Sequence, residues 1–423
     1  MNKQVYDQYI KILESELIPA LGCTEPIAIA LCSGKAREVL NDFPEKIVVY
    51  CSGNIIKNVQ GVTVPCSGGL KGIDVAAVLG AISGNSSKGL EVIADTTDED
   101  RLKLQEVLKK DICEVKHVTG VDNLYVRVYM QSKDQTSEVT IEHQHTNIAK
   151  VVKNNEVLFE SKTNDTIEKI DKTCLNYNDI FEFVEELNID DVKDLLDKQI
   201  KYNTEISNEG LENDWGVSIG KNLLKYENKD DIKVIARAAA AAGSDARMSG
   251  CALPVVINSG SGNQGLTVSL PVIKYAQFLK ASDLQLYKAL TLSNLIAMLQ
   301  KKKLGDLSAF CGAVNAAAGA ASGIGYLLGY NREMIGKAIT NALCSIGGMV
   351  CDGAKPSCAY KISLALEASL FGLELAGKED KYLKPGEGLV KDSIEKTIDA
   401  VGRMGKDGMG PTDKEILSIM IEK

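Results

Sequence analysis

Leu21-Gly22-Cys23-Thr24-Glu25-Pro26 places a thiol beside the start of a helix. Proline suits a first helical turn, and Thr24 or Glu25 can cap it. Partial positive charge at a helix N-terminus stabilises a thiolate and lowers its pKa. Cys23 is therefore read as a nucleophile or general base, the alternative being a structural thiol buried after a glycine turn. A second group, Cys311, Cys344, Cys351 and Cys358, lies in the most apolar third of the chain. With no Cys-x-x-Cys pair in the sequence, a zinc ribbon or finger is disfavoured. Thiolates in such numbers suit an iron–sulfur cluster; ordinary buried cysteines, which behave as small hydrophobes, are the other reading. Cys351 and Cys358 flank Asp352-Gly353-Ala354-Lys355-Pro356-Ser357, a loop able to fold back around a cluster, with Lys355 offsetting thiolate charge. Three cysteines on a four-iron cluster would leave one iron open as a Lewis acid.

Two polar loops could hold a substrate. Asn258-Ser259-Gly260-Ser261-Gly262-Asn263-Gln264-Gly265 is rich in small residues and amides. Successive N–H groups in such loops form anion-binding concavities, suited to an amino-acid carboxylate or a phosphate. Gly260, Gly262 and Gly265 have the bare dinucleotide spacing, but Leu266-Thr267-Val268 reads as extended where that motif needs a helix. A plain surface loop is the competing reading. Asn54, Lys57 and Asn58, on an earlier glycine loop, are candidates for orienting substrate. In Gly243–Gly250, Asp245 and Arg247 are expected to pair with each other; Arg247 could otherwise grip a carboxylate bidentately.

The elements that must position these residues fall into three stretches. The 423 residues carry a net charge of −9, and no segment has the basic excess of a nucleic-acid binder. No membrane span or targeting segment is visible, and a cytoplasmic address is expected. The 11 cysteines, without a secretory signal, argue against a disulfide framework. His117, His143 and His145 sit in a charged, strand-like middle region, which suggests that the chemistry uses other groups. Residues 1–45 read as helices carrying Cys23, packed on the catalytic domain. Residues 46–215 read as an α/β domain with a mixed or antiparallel sheet, including strands at 61–65 and 90–94. Residues 216–423 read as a helical domain rich in small residues that carries the cluster. The fold class is α+β, with a homodimer as the default assembly.

Together these segments resemble the iron–sulfur L-cysteine desulfidases, over nearly the whole chain. The resemblance rests on the Cys23 segment, the loop from Gly53 to Pro65, the 258–265 loop, and Cys311 with Cys351 to Cys358. Cys351 follows Cys311 by 40 positions and Cys358 follows Cys351 by 7. The C-terminal half is also similar to the alpha part of bacterial iron–sulfur L-serine dehydratases, which have a longer last gap. The resemblance implies a 4Fe–4S cluster on Cys311, Cys351 and Cys358, with Cys344 an extra thiol. It also implies that Cys23 is the proton acceptor, and that Asn54, Asn58, Ser259, Gly260, Ser261, Asn263 and Gln264 bind substrate. The reaction implied is β-elimination of L-cysteine to sulfide, ammonia and pyruvate. The alternatives are L-serine dehydration, which is disfavoured if no histidine lies near the substrate, a non-catalytic iron–sulfur redox sensor, and a pyridoxal-phosphate lyase, for which no preferred lysine stands out.

Overall fold

The computed structural model describes residues 1–161, 170–305 and 308–422. Helix α1 (Lys3–Glu16) buries Tyr9, Ile12 and Leu13, the face its spacing predicts, and the chain breaks at Pro19 into strand β1 (Pro19–Leu21). Helix α2 (Thr24–Leu40) is buried without interruption from Thr24 to Gly34. Strand β2 (Lys46–Cys51), helix α3 (Gly53–Val59), helix α4 (Ile73–Ser83) and helix α5 (Asp98–Leu108) follow. Strands β3 (Cys113–His117), β4 (Tyr125–Ser132), β5 (Gln135–Glu142), β6 (Ile148–Lys153) and β7 (Glu156–Glu160) complete a six-stranded mixed sheet. Its order is β3-β2-β4-β5-β6-β7, and only β2 and β3 run parallel.

On β4, Val126, Val128, Met130 and Ser132 are buried and alternate with half-exposed residues, as one covered sheet face requires. Helix α2 packs across β4 and β5 and against α4. Their approach depends on glycine: a Cβ at Gly80 would lie 2.3 Å from Ala30 O. Asn154 and Asn155, both at positive φ, form the β6–β7 turn, the geometry a two-residue hairpin favours. The stretches expected as strands at 61–65 and 90–94 are not strands. Thr63 makes one isolated bridge to Lys71, and Pro65 brings no N–H to a ladder. Leu90 lies in a short 3-10 helix (Ser86–Glu91) and Val92 and Ile93 in the turn after it, where all three serve the core instead of pairing.

The remaining elements are α6 (Tyr177–Glu186), α7 (Lys193–Glu212), α8 (Ile219–Tyr226), α9 (Ile232–Met248), strand β8 (Pro254–Val256), α10 (Gly262–Leu279), α11 (Asp283–Leu304), α12 (Gly312–Leu327), α13 (Arg332–Ile346), α14 (Cys358–Glu379), α15 (Ile394–Arg403) and α16 (Gly410–Ile421). Helix α12 packs against α10, α11, α13 and α14, and its unbroken small residues from Ala316 to Gly323 are all buried. Helices α6 and α7 pack on α11 and α9, so residues 177–212, grouped with the sheet on sequence pattern, sit against the helices. Their apolar faces (Ile180, Phe183 and Val184 on α6; Leu196 and Ile206 on α7) are what they bury there. Leu266-Thr267-Val268, expected extended, lies inside α10, because Ser261 caps that helix immediately after the glycine turn. No described helix is long and apolar enough to cross a membrane.

Two long-range ties join the halves of the chain. Strand β1 pairs antiparallel with β8 in the register Pro19 to Val256 and Leu21 to Pro254. The fully buried Asn203 of α7 holds β8 against α10: its Nδ2 donates to Val256 O, Gly265 O and Ser269 Oγ, and its Oδ1 accepts from Val256 N at 2.8 Å. Asn203→Leu strands these backbone groups in a dry core, and urea melts should show a loss of about 2–4 kcal/mol. The exposed N-cap change Asn331→Ala should cost only about 1 kcal/mol. Equal losses for the two would contradict this role of Asn203.

Candidate active site

Four helices begin at one chamber. Cys23 is the N-cap of α2, Ser261 of α10 and Cys311 of α12, and Cys358 is the first residue of α14. All four line a cavity of about 590 Å³. A helix N-terminus presents N–H groups with no intrahelical acceptor and a partial positive charge, so the chamber favours anionic contents.

The first wall is the start of α2, delivered by the β1–β8 pairing. Cys23 Sγ donates to Glu25 Oε2 at 3.0 Å. Thr24 Oγ1 lies 3.0 Å from Gly260 O and 3.1 Å from Glu25 Oε2, tying this wall to the 259–264 loop. Burial pushes the Cys23 thiol well above its ordinary value, and the Glu25 carboxylate adds to that, while the Arg247 charge opposes it. The sequence-based expectation of a thiolate stabilised by the helix terminus is thereby corrected: at 3% exposure desolvation outweighs the terminus, and the resting group is a thiol. Burial also works to raise the Glu25 carboxyl. His145 and the Cys23 donor more than offset it and hold it near 2. His145 Nε2 is 3.9 Å from Glu25 Oε1, an ion-pair separation beyond hydrogen-bond range.

The second wall is the start of α10. Ser259 takes a left-handed φ of 50° and its Oγ donates to Asn258 Oδ1. Asn258 Nδ2 donates to Asn294 Oδ1 at 2.9 Å, and Asn294 Nδ2 donates to Gln199 Oε1. This buried amide chain fixes the loop from behind. Ser259, Gly260, Ser261, Asn263 and Gln264 all face the cavity, and Gln264 Oε1 has no partner among the described residues. Arg247 also lines it, at 2% exposure. The expected pairing with Asp245 does not occur. Arg247 Nη1 donates to Asn263 Oδ1 at 3.1 Å, and Asp245 accepts from Gly220 N at the start of α8.

The third wall carries Cys311, Cys351 and Cys358. Cys311 N donates to Met349 O, Cys351 N to Ala309 O, and Phe310 bridges Val350. This short ladder sets two of the thiols side by side, and Cys358 N turns back on Lys355 O. Burial, and then Cys351, push the Cys311 thiol up to about 12. Burial also raises Cys358, against the pull of Lys355 and Lys361. Lys361 Nζ donates to Val350 O at 2.7 Å and pairs with Asp352. Cys344 is absent from the cavity wall.

Other sequence candidates divide. Asn58 and Lys57 face the cavity, although the expected glycine loop is the short helix α3; Lys57 is ion-paired with Asp413 of α16. Asn54 does not reach the cavity: at the first turn of α3, its Nδ2 donates to Asn123 Oδ1 at 3.2 Å. The placing of all three histidines away from the site is overturned, since the β5–β6 turn carries His143 and His145 into the cavity wall. His143 Nδ1 is 3.0 Å from Asp122 Oδ2. Glu25 was legible only as a cap and Arg247 chiefly as half of a structural pair. No local pattern marks His145, because a turn in a strand region carries no sign of where the sheet will point it.

The alpha chain family of serine dehydratases matches residues 87–418. Relatives span the whole chain. The UPF0597 protein of Lachnoclostridium phytofermentans is 47% identical over 418 residues, covering 99% of this chain and all of the relative. That of Finegoldia magna is 48% identical over 417 residues, covering 98% of this chain and 99% of the relative. That of Treponema denticola is 43% identical over 429 residues, covering all of this chain and 99% of the relative. The family match begins after the segment that holds Cys23, and these relatives cover that segment too. The chain belongs to the serine dehydratase alpha chain family.

Proposed function

We propose that the protein is an L-cysteine desulfidase that releases sulfide by β-elimination at an iron–sulfur site. The observation that carries this reading is the meeting of Cys23 with Cys311, Cys351 and Cys358 in one cavity, although 288 residues separate Cys23 from the first of the three. Their spacing of 40 and 7 resembles the desulfidase pattern. Among the described residues no three His, Cys, Asp or Glu side chains converge as a single metal ion would require. Three thiols on one cavity wall suit a cluster, in which each thiolate binds a different iron. Helix starts at Cys311 and Cys358, with Lys355 and Lys361 beside them, compensate thiolate charge. A 4Fe–4S cluster on these three residues would leave one iron without a protein ligand and supply a soft Lewis acid for the leaving sulfur.

The chain's own groups account for the proton and the substrate's placement. Cys23 accepts the α-proton. Its own proton must first be lost to solvent: Glu25, 3.0 Å away and held near 2, is too weak a base to take it. The C–S electron pair departs with sulfur as sulfide, and the remaining aminoacrylate tautomerises and hydrolyses to pyruvate and ammonia. Ser259 to Gln264 face the substrate end of the cavity. L-serine dehydration is the second reading. Two observations favour it: the family match and the presence of His145 in the chamber, a potential acid for a hydroxyl leaving group whose supposed absence argued against serine.

On anaerobically prepared, iron-loaded protein, pyruvate release from L-cysteine should exceed that from L-serine at least ~10-fold, with sulfide equimolar to pyruvate. A serine preference would establish the dehydratase reading instead, and a full cluster with no turnover of either would point to a sensor. Cys23→Ser should keep the cluster's absorbance and lose at least ~100-fold in kcat, a general-base effect; full turnover would remove Cys23 from the chemistry. Cys311→Ala should lose bound iron while Cys344→Ala retains it.

Glu25 also gives a pH signature. Its folded pKa lies below the unfolded value of about 4.3, so the ionised carboxylate stabilises the fold above that pH, and the contribution disappears as pH falls toward 2. Urea melts of wild type against Glu25→Gln should differ by on the order of 3 kcal/mol at pH 7, with the difference shrinking below about pH 4 and vanishing only below about pH 2. A pH-independent difference would show that Glu25 is held by something other than its charge.

A further inference from the structure

Arg247 is 2% exposed, yet no ion pair joins it to a carboxylate among the described residues. Its contacts are one amide oxygen, Asn263 Oδ1 at 3.1 Å, and Met248 Sδ at 4.0 Å, and its Nε has no partner. A buried charge without a counter-ion is costly. The end of α9, where Arg247 sits in the last turn, offsets part of that cost. The guanidinium also lies directly on the start of α10: a Cβ at Gly262 would be 2.2 Å from Arg247 Nε and 2.5 Å from its Cζ. Only glycine at 262 admits this contact. The result sets one positive group against another, a guanidinium on the N-terminus of an 18-residue helix. Ser261 Oγ accepts from Gln264 N, which leaves the Gly262 and Asn263 N–H groups without intrahelical acceptors. Arg247, Asn263, Gln264 and Ser261 all face the cavity.

We infer that Arg247 and the first turn of α10 form the receptor for the substrate's α-carboxylate, so that the site selects free α-amino acids and rejects substrates whose carboxylate is blocked. This deepens the desulfidase reading and rests on it for the nature of the ligand. A planar carboxylate matches the guanidinium fork bidentately, and its charge satisfies the side chain and the helix terminus together. Asn263 holds the fork in place through Oδ1. The carboxylate end is thereby fixed beside Cys23, whose thiol already feels the Arg247 charge, with Cys358 packed against the same hydrophobic cluster as Cys23.

Thermal melts of the iron-loaded protein test this with L-alanine, which has the ammonium and carboxylate but no leaving group. L-alanine should raise Tm in a saturable way. L-alaninamide, which lacks the anion, and inorganic phosphate, which lacks the planar fork partner, should not do so at the same concentrations. Arg247→Met should weaken L-alanine binding at least 10-fold while melting at or above wild type without ligand, since it deletes an unpaired buried charge. Arg247→Lys should bind at least threefold more weakly than wild type and raise KM for L-cysteine more than it lowers kcat. Equal binding of L-alaninamide or phosphate, no response of wild type to L-alanine, or unchanged L-alanine affinity in the Met variant overturns the proposal. If the Met variant melts far below wild type, Arg247→Lys decides, and wild-type affinity there overturns it. L-alanine binding that depends on Arg247, without cysteine turnover, would remove the desulfidase reading and leave this receptor standing. Turnover with a KM indifferent to Arg247 would do the reverse.

Discussion

The structure depends on a convergence of positive helix ends. Four helices start at the same chamber, each contributing roughly half an elementary positive charge and up to four N–H groups without helical acceptors. Such an arrangement, with Arg247 and Lys361 added, would repel itself if the chamber were meant for neutral contents. In the proposed function, cluster-bound thiolates and the substrate carboxylate would balance it. The residues at the helix starts are the ones able to carry or bind negative charge: Cys23 and Glu25, Ser261 to Gln264, Cys311, and Cys358.

Bringing these starts together is the work of the fold. The β1–β8 ribbon joins residues more than two hundred positions apart and hands Cys23 to the loop after β8. Asn203 and the Asn258–Asn294–Gln199 amide chain fix that loop from the side away from the cavity. The small residues of α9, α10 and α12 let these helices approach closely enough for their ends to meet. Glycine at 262 does this most directly, because the Arg247 guanidinium occupies the space a side chain would need. The Gly, Ala and Ser content of the C-terminal half thus has two uses, dense packing and room for charged groups at helix starts.

Five helices of the C-terminal half, α9 and α11 to α14, were legible because their periodicity acts locally, whereas α8, α10, α15 and α16 were not. The three-cysteine spacing and the Cys23 turn were also visible, as short patterns with few competing uses. What escaped the sequence was set by distant neighbours. Leu266 to Val268 have strand-like composition, but a cap at Ser261 commits them to helix. Leu90 to Ala94 have it too, but they form the end of a 3-10 helix and a turn that bury Leu90, Val92 and Ile93. The state of Cys23 could not be read from its helix position, since burial and Glu25, consequences of tertiary packing, decide it. His145 and the unpaired state of Arg247 follow from where the β5–β6 turn and α10 come to rest. Asn54 looked equivalent to Asn58, but it sits one helical turn earlier and is bonded to Asn123, and only Asn58 reaches the cavity.

The central claim is that one chamber holds both the proton acceptor and an iron–sulfur cluster with a free coordination position. The most direct measurement is an anaerobic crystal structure of the iron-loaded protein with anomalous data collected at the iron edge. The account predicts four iron sites in this cavity, three bonded to Cys311, Cys351 and Cys358, with the fourth free of protein sulfur and facing the space between Cys23 and Arg247. Iron bound through Cys344, a fourth protein ligand closing the cluster, or a cluster outside this cavity would contradict it.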